Sequence, residues 1–218
     1  KNKGNLEKEN IRDNVFVTGN TVIDASQYTV RENYRYKNEV LRNLTFDGKR
    51  YILMTAHRRE NLGAPLENIC RSVLRLVRSN PDVEVIYPVH LNPAVRETAF
   101  GILGNDPRIH LIDPIDVEDM HNIMSRSYLV MTDSGGLQEE GPHFGIPVVV
   151  LRTETERPEA VEAGTVVVAG TEEGDIFRIA NELLNDESKY EKMARSINPY
   201  GDGKASERII ERILAWND

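Results

Sequence analysis

The chain of 218 residues contains a single cysteine, Cys70, so it forms no internal disulfide, which fits a reducing compartment. The setting of that cysteine, Leu66-Glu67-Asn68-Ile69-Cys70-Arg71-Ser72-Val73-Leu74, reads as a helix with the thiol on or near the apolar face, the place of a buried structural cysteine. No apolar run approaches the roughly 20 residues needed to cross a bilayer, which excludes a spanning helix. Positive charge is not in surplus either. The formal charge is -8, so broad electrostatic binding to nucleic acid is excluded and any anion site must be local. The opening Lys1-Asn2-Lys3-Gly4-Asn5-Leu6 lacks the apolar core of a signal peptide, and a cytoplasmic location is expected. Internal repeats and low-complexity segments are missing. His110, inside an expected strand, and His121 and His143, on expected helices, do not meet carboxylates at metal-ligand spacing, so no metal is expected. No Ser-His-Asp set can be assembled.

What remains is a regular alternation. Apolar runs rich in Val and Ile recur at Val15-Phe16-Val17, Tyr51 to Met54, Val83 to Tyr87, Ile109 to Ile112, Tyr128 to Met131, Val148 to Leu151 and Val166 to Val168, which reads as seven strands. Helical spacing appears between them, at Ile69, Val73, Leu74, Leu76 and Val77, at Ile123 and Met124, and at Ile176, Ile179, Ala180, Leu183 and Leu184. Such alternation with short connections predicts an α/β fold, one doubly wound and mostly parallel sheet with helices on both faces. A turn-rich link, Asn198 to Lys204, then leads into a last helix through Ile209, Ile210, Ile213, Leu214 and Trp216.

Ligands in such sheets collect beyond the carboxyl ends of the strands. The loops expected on that rim hold the chain's unusual residues. In Thr132-Asp133-Ser134-Gly135-Gly136-Leu137-Gln138-Glu139-Glu140, a strand runs through a glycine turn into a helix. Glycines let the backbone approach a ligand closely, and the opening helix presents unpaired N–H groups, so Ser134, Gly135 and Gly136 are candidates for a diphosphate. A tight turn with Ser134 as a plain N-cap is the alternative. Glu140, between one and two turns into the helix, suits the paired hydroxyls of a ribose. Arg157, after the next strand, suits a bidentate grip on phosphate, or else a surface pair with Glu154, Glu156 or Glu159. His57, just past an expected central strand and followed by Arg58, Arg59 and Glu60, is placed to donate a hydrogen bond or a proton to a leaving diphosphate, or is merely structural. Glu60 suits a pair with Arg58 or Arg59. His90, stiffened by Pro88 and Pro93, either contacts a second ligand or caps the next helix.

Taken together, Val17-Thr18-Gly19-Asn20-Thr21-Val22-Ile23-Asp24-Ala25, Thr55-Ala56-His57-Arg58-Arg59-Glu60-Asn61, Tyr87 to Pro93, Thr132 to Glu140, Glu156-Arg157-Pro158-Glu159-Ala160 and Asn198 to Ser206 resemble the non-hydrolysing UDP-N-acetylglucosamine 2-epimerases through nearly the whole chain. The resemblance implies a glycosyltransferase-B-like fold of two Rossmann-like domains, of which this chain is similar to the C-terminal, UDP-holding one. It implies residues 1–17 as the remnant of the interdomain linker and first strand, 18–198 as the UDP-binding domain and 199–218 as a C-terminal crossover helix, with no counterpart of the N-terminal domain. Carried over, UDP contacts fall on Ser134, Gly135, Gly136, Glu140 and Arg157, a catalytic role on His57, and a second, allosteric UDP-N-acetylglucosamine on Arg58 and His90. Met120 stands where relatives often carry Phe near the uracil. The implied reaction inverts C2 of UDP-N-acetylglucosamine to give UDP-N-acetylmannosamine by elimination and re-addition of UDP, with no cofactor, in a homodimer serving cell-surface polysaccharide synthesis. A UDP-sugar-dependent glycosyltransferase and a non-catalytic nucleotide-sugar sensor are the rival readings.

Overall fold

A computed structural model describes residues 2–216. Its centre is a six-stranded, wholly parallel sheet of β1 (Arg50–Thr55), β2 (Val83–Pro88), β3 (Ile109–Ile112), β4 (Leu129–Thr132), β5 (Val148–Val150) and β6 (Val166–Val168), in the order β3-β2-β1-β4-β5-β6. That is the doubly wound order, in which the direction of winding reverses between β1 and β4. The helices are α1 (Asn2–Lys8), α2 (Thr21–Thr29), α3 (Glu39–Arg42), α4 (Ala64–Ser79), α5 (Pro93–Leu103), α6 (Val117–Met124), α7 (Gly135–Glu140), α8 (Pro158–Glu162), α9 (Glu173–Asn185), α10 (Glu187–Ala194) and α11 (Ala205–Ala215).

Period-two alternation within the strands sends side chains to two separate cores. Ile52 and Met54 of β1, with Val85 and Tyr87 of β2, face α4, α5 and α9. Tyr51 and Leu53, with Ile86 of β2, face Ile123 and Met124 of α6 and Leu41 of α3. Helix α4 shows why its sequence is helical: Leu66, Ile69, Cys70, Val73, Leu76 and Val77 are buried at helical spacing, Pro65 occupies its first turn, and the helix stops at Asn80, before Pro81.

Six of the seven expected strands are present. Residues 15–17 form no strand and pair with none of the six: Phe16 and Val17 stand exposed, the latter 77%. Residues 2–8, which carry no strand or helix signal of their own, are helical. The final helix forms as expected. The Asp24 carboxylate accepts from the amides of Ala205 (3.1 Å) and Ser206 (2.6 Å), fastening the start of α11 to α2. Ile210, Ile213, Leu214 and Trp216 nevertheless remain exposed along α11.

Candidate functional site

The register pairs Thr55, the last residue of β1, with Thr132, the last of β4, at the point where the winding reverses. Their hydroxyls meet at 2.6 Å, and Thr132 Oγ1 also accepts from the Ser134 amide at 2.9 Å. Both chains therefore leave the sheet from one pinned point. The first carries His57 and Arg58 and the second the Ser134 turn.

Asp133, fully buried, ties these two loops together. Its Oδ2 accepts from the His57 amide (2.8 Å), the Arg58 amide (2.8 Å) and Asn61 Nδ2 (3.0 Å), and Asn61 also donates to the Leu151 carbonyl (3.0 Å) at the end of β5. The carboxylate thus joins two rim loops, and Asn61 extends the tie to a third. The Tyr87 hydroxyl, its pKa pushed up by burial, donates to the Ala56 carbonyl at 2.6 Å and adds the end of β2.

Ser134 is the residue before α7, but its hydroxyl caps nothing, so the plain N-cap alternative lacks its hydrogen bond. Two guanidinium groups lie over the turn. A methyl group placed on Gly135 would sit 3.6 Å from Arg157 Nη2 and 3.9 Å from Arg58 Nη2, and one on Gly136 would sit 3.3 Å from Glu140 Oε1. The missing side chain at Gly136 is what leaves room for the Glu140 carboxylate this close to the backbone.

Arg157 donates from Nη1 to the Glu156 carbonyl (3.4 Å). Its Nε donates to Glu139 Oε1, whose other oxygen accepts from Asn20 Nδ2. Burial opposes the charge on Arg157, and Glu139 outweighs it, so the guanidinium pKa is raised above its ordinary value. A relay holds the Arg157 loop to α7: the Arg157 amide donates to Thr155 Oγ1 (3.0 Å), Thr155 donates to Gln138 Oε1, and Gln138 Nε2 donates to the Ser134 carbonyl (3.1 Å). Arg58 Nε donates to the Asp133 carbonyl (3.2 Å). Glu60 pairs with neither arginine beside it but with Arg152, Nε to Oε1 2.8 Å.

Glu140 is not free at the end of α7. Its Oε2 lies 3.2 Å from Nε2 of His121, a buried side chain whose Nδ1 meets Thr29 Oγ1 at 2.6 Å. His110 likewise meets a carboxylate, Glu84, at 2.7 Å. Among the described residues no group of three or more His, Cys, Asp or Glu side chains is disposed to hold a metal ion. His143 lies in a short 3-10 turn, Gly141–Phe144, with its pKa lowered by burial and then by His121.

His57 is part exposed, its Nδ1 3.4 Å from Asp133 Oδ1 and its ring stacked on that of His90 with centroids 5.4 Å apart. His90 Nδ1 accepts from the Asn92 amide at 3.1 Å, and Asn92, not His90, caps α5 by accepting from the Ala94 amide. Ser134, Gly135, Gly136, Glu140, Arg157 and Arg58 therefore share one rim, with the His57–His90 stack joined to it through Asp133. Asp133, Glu139, Thr155 and His121 were not anticipated. A buried aspartate before a serine carries no sequence signal that separates it from an exposed turn residue.

A parallel sheet wound in this order, with cationic side chains gathered over a glycine turn at the winding reversal, defines a Rossmann-like α/β domain with a cationic switch point. The sequence matches the family described as UDP-N-acetylglucosamine 2-epimerase over residues 1–214. It is 53% identical over 213 residues to the UDP-N-acetylglucosamine 2-epimerase of Bacillus subtilis strain 168, an alignment covering 97% of this chain and 55% of that protein. The structure of S. aureus MnaA with UDP is similar with a TM-score of 0.92 at 50% identity, covering 98% of this chain and 58% of that one. The Neisseria meningitidis UDP-GlcNAc 2-epimerase bound to UDP-GlcNAc gives 0.89 at 42%, covering 98% and 59%. The chain belongs to the UDP-N-acetylglucosamine 2-epimerase family. It spans rather more than half the length of these relatives.

Proposed function

We propose that this chain is the UDP-holding, C-terminal portion of a non-hydrolysing, two-domain UDP-N-acetylglucosamine 2-epimerase. The observation that carries the reading is the convergence of Arg157 and Arg58 over Gly135 at the switch point, the place and charge a diphosphate requires. Gly135 and Gly136 offer backbone N–H groups and Ser134 its uncommitted hydroxyl to the same anion, and Glu140, fixed by His121, accepts from the ribose hydroxyls. Segment 1–17 links to a preceding domain, 18–198 binds UDP and 199–218 crosses back, which accounts for the exposed apolar residues of α11.

In the proposed reaction a proton leaves C2 of the sugar, the C1–O bond breaks and UDP departs, leaving a glycal. UDP then adds back at C1 while C2 takes a proton on the opposite face. The residues here serve the leaving group: the guanidinium groups stabilise the diphosphate as charge grows on it, and His57 donates a hydrogen bond or proton to it. Proton transfer at C2 belongs to the other domain, whose closure keeps water from the intermediate. The chain alone is then inactive. Arg58 and His90 are assigned to a second, activating nucleotide-sugar, adjoining the first through Arg58. The complete enzyme is a cytoplasmic homodimer feeding polysaccharide synthesis.

The test is calorimetric titration of UDP into this chain, followed by mixing with the separately produced N-terminal domain and UDP-N-acetylglucosamine in deuterium oxide. Micromolar-range binding and deuterium incorporation at C2 with formation of UDP-N-acetylmannosamine are expected. Binding with sugar transfer and no C2 exchange would instead make the protein a glycosyltransferase, and binding without either a sensor.

A further inference from the structure

We infer that Asp133 is a positioning residue for His57, holding the imidazole with its proton on Nδ1 so that Nε2 faces the ligand side. The inference deepens the reading of His57 given above and rests on it for its purpose, though not for its geometry. Asp133 is wholly buried, and burying a carboxylate is costly unless its oxygens are satisfied. Oδ2 is saturated by three donors, two of them backbone amides, and this fixes the plane of the group. Oδ1 has no hydrogen-bond donor among the described residues. The group facing it is His57 Nδ1 at 3.4 Å, about half an ångström beyond an ordinary N–H···O bond. His57 is 39% exposed and Asp133 is immobile, so the ring is the partner able to close that gap. Such contacts commonly tighten when a ligand arrives.

The surroundings of the ring fit this assignment. From the loop after β2, His90 stacks on it with planes 7° apart, which limits tilting of His57 out of the Asp133 direction. His90 Nδ1 accepts from the Asn92 amide, which holds the stacking ring in place within its own loop. Arg58, from the same loop, directs its guanidinium away, to the Asp133 carbonyl and Gly135. A carboxylate behind Nδ1 stabilises the Nδ1–H form and the imidazolium alike, the two states between which a donor at Nε2 must pass.

Asp133→Asn tests this without touching a ligand contact. The asparagine oxygen can replace Oδ2 for the three donors, which points its NH2 at His57 Nδ1 and demands the opposite tautomer. With 15N-labelled histidine and a long-range 1H–15N correlation, assigned by loss of the signal in His57→Gln, the wild-type chain is expected to show His57 protonated on Nδ1. In Asp133→Asn the proton should move to Nε2 while the signals of His110, His121 and His143 stay in place. An Nε2–H tautomer in the wild-type chain would overturn the inference, as would a folded Asp133→Asn chain with the tautomer unchanged. The wild-type spectrum decides alone if the variant does not fold. Because no nucleotide is present, failure of UDP binding and failure of this assignment are separate results.

Discussion

Arg157→Ala removes one of the two guanidinium groups over Gly135 and leaves Glu139 with Asn20 as its remaining side-chain partner. A hydrogen bond to a charged group contributes about 1.5–3 kcal/mol net, equivalent to about 10- to 150-fold in affinity. A third of the Arg157 side chain is open to solvent, which screens its charge, whereas the freed Glu139 carboxylate repels an arriving diphosphate. These opposing corrections put the expected loss in UDP affinity at about 10- to 50-fold. Arg157→Lys keeps the charge but not the fork that serves Glu139 and phosphate together, and should fall between wild type and alanine. Adding Glu139→Gln to Arg157→Ala should recover part of the loss by removing the repulsion. The assay is calorimetric titration with UDP at two salt concentrations, with the melting temperature of each variant as a control on folding. A Kd for Arg157→Ala within about threefold of wild type, in a variant that melts normally, would show that this guanidinium does not hold the diphosphate.

Glu140→Ala should weaken UDP about tenfold and leave pyrophosphate binding nearly unchanged; an equal loss for both ligands in competition titrations would remove Glu140 from the ribose. Gly141→Ala would drive a methyl group to 2.6 Å from Val148 Cγ2 beneath β5, so urea melts should show a loss of about 1–3 kcal/mol, and a change within about 0.5 kcal/mol would mean that this wall of the core yields. Hydrogen bonds from the amide and hydroxyl of Ser206 lower the Asp24 pKa, and the Arg208 guanidinium lowers that of Asp202 to about 2. A depressed carboxylate pKa contributes stability above its unfolded value, near 4, that is lost as pH falls through the folded value. Exchange protection of the Ala205 and Ser206 amides should therefore hold above about pH 4 and decline as pH falls further; protection unaltered under acid conditions would detach these carboxylates from the hold on α11.

The sheet was legible because parallel strands buried on both faces read as continuous apolar runs, and the five runs from Tyr51 to Leu151 sit where the strands are. Val15-Phe16-Val17 has the same composition, and what it lacks is a strand to pair with, which no local pattern records. The rim was legible for a related reason: glycines, arginines and histidines stand out when they follow an apolar run. Their partners were not. Glu139 and Glu140 are adjacent on a six-residue helix, and the sequence does not say that one turns to Arg157 and Asn20 and the other to His121. Asp133 and His121 act through burial, which is set by tertiary packing and not by their immediate neighbours.

Helix α2 is gripped near both ends by side chains that descend from α7: Asn20, just before it, by Glu139, and Thr29, its last residue, by Glu140 through His121. A ligand that draws on either carboxylate alters that grip, and linkage makes the effect reciprocal, so a force applied to α2 alters affinity at the turn by the same free energy. The chain reaches α2 from residues 15–20, so whatever pulls on that approach is felt at the Ser134 turn without touching it.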